Sequence, residues 1–268
     1  MAHKPKARPG FTRWVDAATA AANSGLPLTH VTKGLRAQDV IHAGRIEPTD
    51  CAVFGSPLAY FFYGRPAYRY DAGSSVKLES ACPFCFIFDP KLLKRARHIY
   101  PFDTGAFSDR MYNHVLDDDF NIEDFDLGAE PDRPEKLISA TYLSRADYAS
   151  GNKSGLLPID TAAKAYDMEA KAYMSLLHSQ GRNEPDDRIG TIEVQFGDPV
   201  PLAENLIAIA IPHTFWLNGD RSPLIERLES NGADVLTYEF IPGRPIAHYH
   251  TLLEVTVRDY LSHKRFIK

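Results

Sequence analysis

One carboxylate, Glu193, lies in a stretch whose residue types alternate as in a β-strand. In residues 189–196, Thr191, Glu193 and Gln195 fall on one face and the apolar side chains fall on the other. A carboxylate held rigidly on a sheet among polar neighbours is suited to catalysis. The same alternation is equally typical of an edge strand whose polar face meets solvent, so the residues alone leave both interpretations open.

His30 and Thr32 form a second candidate. Side chains two residues apart on a strand point to the same face, so an imidazole and a hydroxyl could meet one ligand. From this pair alone, a histidine satisfied at the end of a strand is the simpler interpretation, and the choice stays open.

Cys82 and Cys85 have the C-x-x-C spacing of redox and zinc sites. A zinc site would need a second ligand pair nearby, and a redox site would place the first cysteine at a helix start, whereas this one enters an apolar strand. We interpret both as small buried apolar side chains. His248 and His250 fall where a helix begins, although metal ligands at this spacing would need a strand. No metal is expected.

Secondary-structure patterns predict the elements that must position these residues. Strands are predicted at residues 28–32, 51–54, 84–88, 189–196, 205–211 and 234–241. Helices are predicted at residues 11–23, 35–44, 58–63, 222–231 and 248–263. Gly44 is placed as the residue that ends the second helix, and Ser56-Pro57 has the arrangement that starts the third.

The middle third differs in character. Residues 108–181 are predicted to be mostly helical, including residues 134–150 and 161–178, and this region is interpreted as a helical insertion. We expect one domain over residues 1–268, with an N-terminal helix at 11–23.

Composition limits the classes of function. The chain has 268 residues, of which 44% are hydrophobic and 24% charged, and a net charge of -5, so bulk charge attracts neither nucleic acid nor anionic membrane. Three cysteines do not form a disulfide framework, which favours a reducing, cytoplasmic location. No apolar run approaches the roughly 20 residues of a membrane-spanning helix.

Taken together and in order, three segments resemble the ADP-ribosyltransferase fold. They are residues 28–44 with His30 and Thr32, residues 54–60 with Ser56 and Tyr60, and residues 188–194 with Glu193. Within that fold they look most like the DarT-type toxins that ADP-ribosylate DNA. Those toxins have a His-Ile-Thr strand, an aromatic strand ending in Ser-Pro-x-x-Tyr, and a late strand of the type Ala-Glu-Phe-Leu-Val with the catalytic Glu. The resemblance implies an α+β fold with a split β-sheet core that grips NAD, and NAD as a co-substrate.

The resemblance also implies roles for single residues in binding NAD. His30 would hold the ADP-ribose or nicotinamide part by hydrogen bonds, with Thr32 beside it. Ser56 would meet the nicotinamide ribose or amide. Tyr60 or Tyr63 would provide the aromatic face on which nicotinamide stacks.

For the remaining parts of NAD, the resemblance points to charged side chains. Arg65 or Arg69 would pair with the pyrophosphate. Glu193 would be the catalytic residue, because loss of nicotinamide builds positive charge on the ribose that a fixed carboxylate stabilises. It could also accept the proton of the acceptor.

The implied activity is mono-ADP-ribosylation of a macromolecule, and the acceptor could be DNA, RNA or protein. Toxin or anti-phage defence roles are common in this class, and an antitoxin could be a partner. DarT-type proteins have a long element where this chain has only residues 45–50, which leaves DNA undecided, and residues 108–181 are expected to recognise the acceptor. The alternatives are an NAD glycohydrolase, an RNA 2′-phosphotransferase with Lys33 and Arg36 near the phosphate, or a non-catalytic nucleotide-binding module with Glu193 exposed.

Overall fold

The computed structural model describes residues 10–20, 25–67, 75–179, 187–215, 223–230 and 232–267. Backbone contacts divide the chain into two compact units. The first unit contains residues 1–23 and 97–193, and the second contains residues 24–96 and 194–268. Helices accompany a mixed sheet, which confirms the α+β class. The ADP-ribosyltransferase architecture and the single-domain assignment stay predictions.

The elements follow the chain in this order. The helices are α1 (Gly10–Asp16), α2 (Gly34–Ala43), α3 (Thr104–Ser108), α4 (Arg133–Thr141), α5 (Arg145–Ser150), α6 (Ile159–Ala162), α7 (Met168–His178), α8 (Pro223–Ser230) and α9 (Ile246–His263). The strands are β1 (Leu28–Lys33), β2 (Arg45–Ile46), β3 (Thr49–Cys51), β4 (Ser56–Tyr63), β5 (Ser75–Val76), β6 (Pro83–Phe88), β7 (His98–Tyr100), β8 (Glu193–Phe196), β9 (Val200–Pro201), β10 (Leu206–Pro212), β11 (Asp234–Tyr238) and β12 (Arg244–Pro245).

Strand β6 is central to the sheet of the second unit. All its residues are buried, as its uninterrupted apolar sequence predicts. It pairs antiparallel with β1 on one side and with β10 on the other, and His30 lies opposite Phe86. Within this unit the strand order is β11-β10-β6-β1-β4, with β3 also paired to β4, and residues 194–196 of β8 follow β4. Strands β10 and β11 are parallel, whereas the β10–β6, β6–β1, β1–β4 and β3–β4 pairs are antiparallel.

Helix α2 follows β1 without a loop and ends where the sequence predicts. Gly44 adopts a left-handed conformation with φ of 71°, and its N–H bonds to the carbonyl of Val40. Ala37 and Ile41, four residues apart, are the apolar side chains that α2 buries. The helix therefore places its other face, with Arg36 and Asp39, beside the exit of β1.

The first unit is held together by aromatic packing between its helices and loops. The ring of Phe11 in α1 lies 5.2 Å from that of Phe125 and 5.4 Å from that of Tyr173 in α7, and Phe102 lies 5.2 Å from Phe125. All four rings are fully buried or nearly so. Edge-on packing of this kind adds about 0.5–1.5 kcal/mol per pair beyond the burial of apolar area.

The helix predicted at residues 58–63 is wrong, because β4 runs through this segment. Ser56-Pro57 does not cap a helix; Ser56 lies opposite Cys51 in the β3–β4 hairpin, and Pro57 lies opposite Asp50 near the strand's start, where a missing N–H is tolerated. The aromatic residues that follow favour a strand with buried neighbours. The strand predicted at 51–54 is likewise shorter, since β3 ends at Cys51 and a turn follows.

Several predicted helices are shorter than expected. Helix α1 ends at Asp16, and residues 21–23 of the predicted helix lie outside the described residues. Residues 134–150 form α4 and α5 instead of one helix, because Ser144 caps α5 by accepting the N–H of Asp147. The described part of this region, residues 108–179, is therefore a series of short helices and turns rather than mostly helix.

The strand predicted at residues 189–196 begins only at Glu193, and Asp187–Gly190 forms a 3₁₀ turn. All four residues of β8 are buried, as is Thr191. The interpretation as a solvent-facing edge strand is therefore wrong, as is the exposed position that the non-catalytic alternative gives to Glu193. In the part of the chain that is described, no helix combines the length and apolar character needed to cross a membrane.

Two glycines give a matched test of packing in the second unit. Gly64 and Gly44 both have left-handed backbones, with φ of 70° and 71°, but a methyl group at Gly64 would overlap the side chain of Leu26, whereas at Gly44 it would meet nothing within 4 Å. We expect Gly44→Ala to lower the free energy of unfolding by about 1–2 kcal/mol from backbone strain alone. Gly64→Ala should cost about 1–3 kcal/mol more. Urea unfolding of both variants measures the difference, and equal midpoints would contradict the role given to Leu26.

Candidate functional site

A cavity of about 510 Å³ lies in the second unit, between β1, α2, β4 and the turn after α2. Three of the residues predicted to bind NAD line it, namely His30, Thr32 and Tyr60. His30 and Thr32 reach it because they share one face of β1, as their spacing predicts. The volume lies within the range of about 300–1,000 Å³ that is usual for small-molecule sites.

The imidazole of His30 has a defined orientation. Its Nδ1 lies 2.8 Å from the carbonyl oxygen of Tyr60, and because a carbonyl only accepts, Nδ1–H is the donor. The rings of Phe61 and Phe86 lie 5.3 and 6.4 Å away. Burial lowers the pKa of His30 below its ordinary value of 6.5, although the bond to Tyr60 opposes the shift. Near neutral pH the ring is therefore uncharged, and Nε2 is left as an acceptor.

Tyr60 is anchored at its outer end. Its hydroxyl donates to the thiol sulfur of Cys51 across the β3–β4 hairpin, at 2.6 Å. The ring is half-buried and lines the cavity, so one surface can meet a ligand. The resemblance implies that either Tyr60 or Tyr63 stacks on nicotinamide, and of these two Tyr60 lines the cavity.

The other predicted ligands in this unit are not on the cavity wall. Tyr63 is fully buried, and its hydroxyl accepts the N–H of Leu26 at 2.8 Å. Arg65 is 3% exposed, with Nη2 3.9 Å from a carboxylate oxygen of Glu254. Ser56 lies at the far end of β4. Arg69 lies outside the described residues.

Two arginines line the cavity instead. Arg36 lies on the exposed face of α2, 3.6 Å from Asp39, and Arg45 forms a close ion pair with Glu47. Exposed pairs of this kind contribute little stability, at most about 1 kcal/mol, so each guanidinium can turn to an anion at small cost. The sequence contained a usable signal for Arg45, because it directly follows the glycine that ends α2.

In the first unit, the carboxylate of Glu193 is held by Thr104. Oε1 accepts from the Thr104 hydroxyl at 2.8 Å, and Oε2 accepts from its backbone N–H at 3.0 Å. Glu193 is 2% exposed and Thr104 is fully buried. Thr104 is the first residue of α3, after Asp103, whose side chain caps the helix by accepting the N–H of Ala106. A buried carboxylate with two donors fixed in place is suited to stabilising positive charge.

Comparisons with protein-family models, with curated proteins and with solved structures found no match.

Tyr100, another ionisable side chain of the first unit, interacts with Glu193 and with two further carboxylates. Burial is the main cause that raises the pKa of Tyr100, and the negative charges of Asp126, Glu123 and Glu193 add to it. Asp126 in turn lies 2.9 Å from Nδ1 of His98. Tyr100 therefore stays protonated and keeps its hydroxyl as a donor near these carboxylates.

The cysteine pair has the character that the sequence predicts. Cys82 and Cys85 are buried, and both thiols are free. Burial raises the pKa of Cys82 to about 12 and that of Cys85 further still, so neither is a thiolate near neutral pH. His248 and His250 lie near the start of α9, in its first two turns. Among the described residues, no group of three or more His, Cys, Asp or Glu side chains could hold a metal ion.

Thr104 was not identified from the sequence, and its hydroxyl can be tested. Thr104→Val keeps the shape of the side chain but removes one of the two hydrogen bonds that Thr104 donates to the buried Glu193 carboxylate. We expect a loss of about 1–3 kcal/mol in the free energy of unfolding. Thr104→Ser retains the hydroxyl and should recover most of that loss. Urea unfolding is the measurement, and a valine variant as stable as the wild type would show that the hydroxyl is dispensable.

The lowered pKa of His30 predicts a pH dependence of stability. The unfolded chain binds a proton on this ring below pH 6.5, while the folded chain does so only at lower pH, so the folded state loses stability as the pH falls below 6.5. His30→Gln should remove this part of the slope. Nuclear magnetic resonance of the imidazole should give a midpoint below 6.5, and a midpoint at or above that value would contradict the assignment.

Proposed function

We propose that this chain is an NAD-dependent mono-ADP-ribosyltransferase that modifies a macromolecule. The observation that carries the proposal is the common cavity wall of His30, Thr32 and Tyr60, three residues that the resemblance assigns to NAD binding. The neutral imidazole offers Nε2 as an acceptor for an amide or hydroxyl donor of the ligand. Tyr60 offers an aromatic surface for a flat ring.

We assign pyrophosphate binding to Arg36 and Arg45 instead of Arg65. Arg65 is buried against Glu254, whereas Arg36 and Arg45 are on the cavity wall with exposed side chains. Guanidinium groups bind phosphate oxygens through two parallel hydrogen bonds, which are stronger than bonds between neutral groups. Exposed ion pairs with Asp39 and Glu47 keep these cations available until an anion arrives.

Glu193 is the proposed catalytic carboxylate. In the reaction, the bond between C1′ of the ribose and the nicotinamide nitrogen breaks, and its electron pair leaves with neutral nicotinamide. A bond then forms between C1′ and the acceptor nucleophile, whose proton passes to the carboxylate or to water. The two hydrogen bonds from Thr104 fix the carboxylate within the first unit, which is the preorganisation that stabilisation of positive charge requires.

Removing the charge of Glu193 tests the catalytic assignment. With purified protein and NAD, Glu193→Gln should reduce nicotinamide release by about 100-fold or more. The amide that replaces one oxygen cannot accept from both Thr104 donors, so activity is compared at a temperature at which unfolding curves show that the variant and the wild type are both folded. Glu226→Gln, which removes an exposed carboxylate on α8, is the matched control and should retain full activity. Turnover that survives in Glu193→Gln would reject its role.

The same assay separates the related activities. The double variant Arg36→Gln with Arg45→Gln should raise KM for NAD by about tenfold or more, whereas Lys94→Gln, an exposed cation elsewhere, should not.

Labelling of a cell lysate with tagged NAD, followed by nuclease or protease, identifies the acceptor class. Label that resists both treatments would favour an NAD glycohydrolase. Transfer of the phosphate from a 2′-phosphorylated RNA to the ADP-ribose part of NAD, with nicotinamide released, would favour the phosphotransferase. Binding of NAD without turnover would favour a non-catalytic module.

A further inference from the structure

A second and larger cavity, of about 820 Å³, lies in the first unit. It is formed by α1 and by the segment that joins α6 to α7. None of the residues used in the proposed function lines it. Its wall combines aromatic rings with cations.

The aromatic part of the wall is partly fixed and partly exposed. Trp14 donates its indole N–H to the carbonyl of Ala162 at 2.8 Å, and its ring lies 5.5 Å from that of Phe11. The indole is therefore held in one orientation. Across the same cavity, Tyr166 is 71% exposed and Met168 is 64% exposed. Large apolar side chains that remain in water beside a cavity are typical of a surface that a ligand covers.

The cations of the wall are not neutralised by local carboxylates. Arg13 and Lys164 are exposed, and among the described residues no carboxylate lies within 4 Å of either charged group. The ammonium of Lys164 instead lies 5.8 Å from the centre of the Tyr166 ring. This arrangement places a positive charge at the edge of an aromatic surface.

The two acidic residues of the wall are less accessible than the two cations. A carboxylate oxygen of Asp167 accepts the backbone N–H of Lys164 at 3.2 Å. Glu169 is 7% exposed, and its carboxylate lies so close to Gly10 that a methyl group there would overlap it. Of the four charged side chains of the wall, Arg13 and Lys164 are exposed, whereas Asp167 is half-buried and Glu169 is buried.

We propose that this cavity binds a nucleoside phosphate, with the base on the aromatic surface of Trp14 and Tyr166 and the phosphates on Arg13 and Lys164. Aromatic rings stack on nucleobases, and basic side chains bind phosphate. The volume suits a small molecule. A groove for single-stranded nucleic acid would carry cations along several nucleotides, whereas in the described part of this wall the cations are Arg13 and Lys164. The inference does not depend on the proposed function.

Tryptophan fluorescence of the full chain tests the proposal. The chain has two tryptophans, so the variant Trp216→Phe leaves Trp14 as the only reporter. Adenosine triphosphate should quench this emission with saturation. Adenosine and inorganic tripolyphosphate should each bind at least about tenfold more weakly, because each satisfies only half of the site. A single-stranded oligonucleotide that binds more tightly than the mononucleotide would overturn the assignment of the ligand class.

Variants then locate the site. Arg13→Gln with Lys164→Gln, and separately Tyr166→Ala, should each weaken quenching by adenosine triphosphate by about tenfold or more. Lys94→Gln is the matched control for loss of an exposed cation and should have no effect. The double variant of Arg36 and Arg45 should also leave quenching unchanged, which distinguishes this cavity from the proposed NAD site. Absence of saturable quenching, or quenching lost only in the Arg36 and Arg45 variant, would reject the proposal.

Discussion

The burial of β6 on both faces is the constraint on which the second unit depends. With apolar side chains on each face and a paired strand along each edge, β6 has one stable register against β1, since a slip of one residue would turn every side chain of β1 to the other face. That register places His30 opposite Phe86 and gives His30 and Thr32 their common direction. Helix α2 starts at the next residue after β1, so the position of Arg36 follows from the same pairing.

An element of the fold could be predicted from the sequence where its local residue pattern has one structural interpretation. The apolar run of β6 and the glycine that ends α2 each have a single physical interpretation, and both predictions are confirmed. Ser56-Pro57 has two physical interpretations, because the same dipeptide can start a helix or enter a hairpin. Only the pairing of this segment with β3 and β1 decides between them. Residues 134–150 show a similar limit, since the cap at Ser144 competes with a helical pattern that continues through it.

The residues of the candidate sites also differ in whether the sequence alone could predict their positions. The shared direction of His30 and Thr32 follows from strand geometry alone, whereas the position of Tyr60 depends on a strand that was predicted as a helix. The burial of Glu193 could not be predicted, because alternation of polar and apolar residues carries no information on what covers the polar face. Its partner Thr104 lies 89 residues away in the chain, and contacts over such separations leave no pattern in one sequence.

The division of the chain into two interleaved units has a consequence for its synthesis. Strands β1, β4 and β6 of the second unit leave the ribosome before residues 97–193, but β10, which completes the pairing of β6, leaves after them. The aromatic residues of β6 are therefore made while one edge of their strand is still unpaired, and unpaired apolar edges are prone to aggregation. The first unit can bury its own aromatic residues once residues 97–193 have emerged, because its N-terminal helix is already present. The order of synthesis thus favours folding of the first unit before β10 and β11 complete the sheet of the second unit.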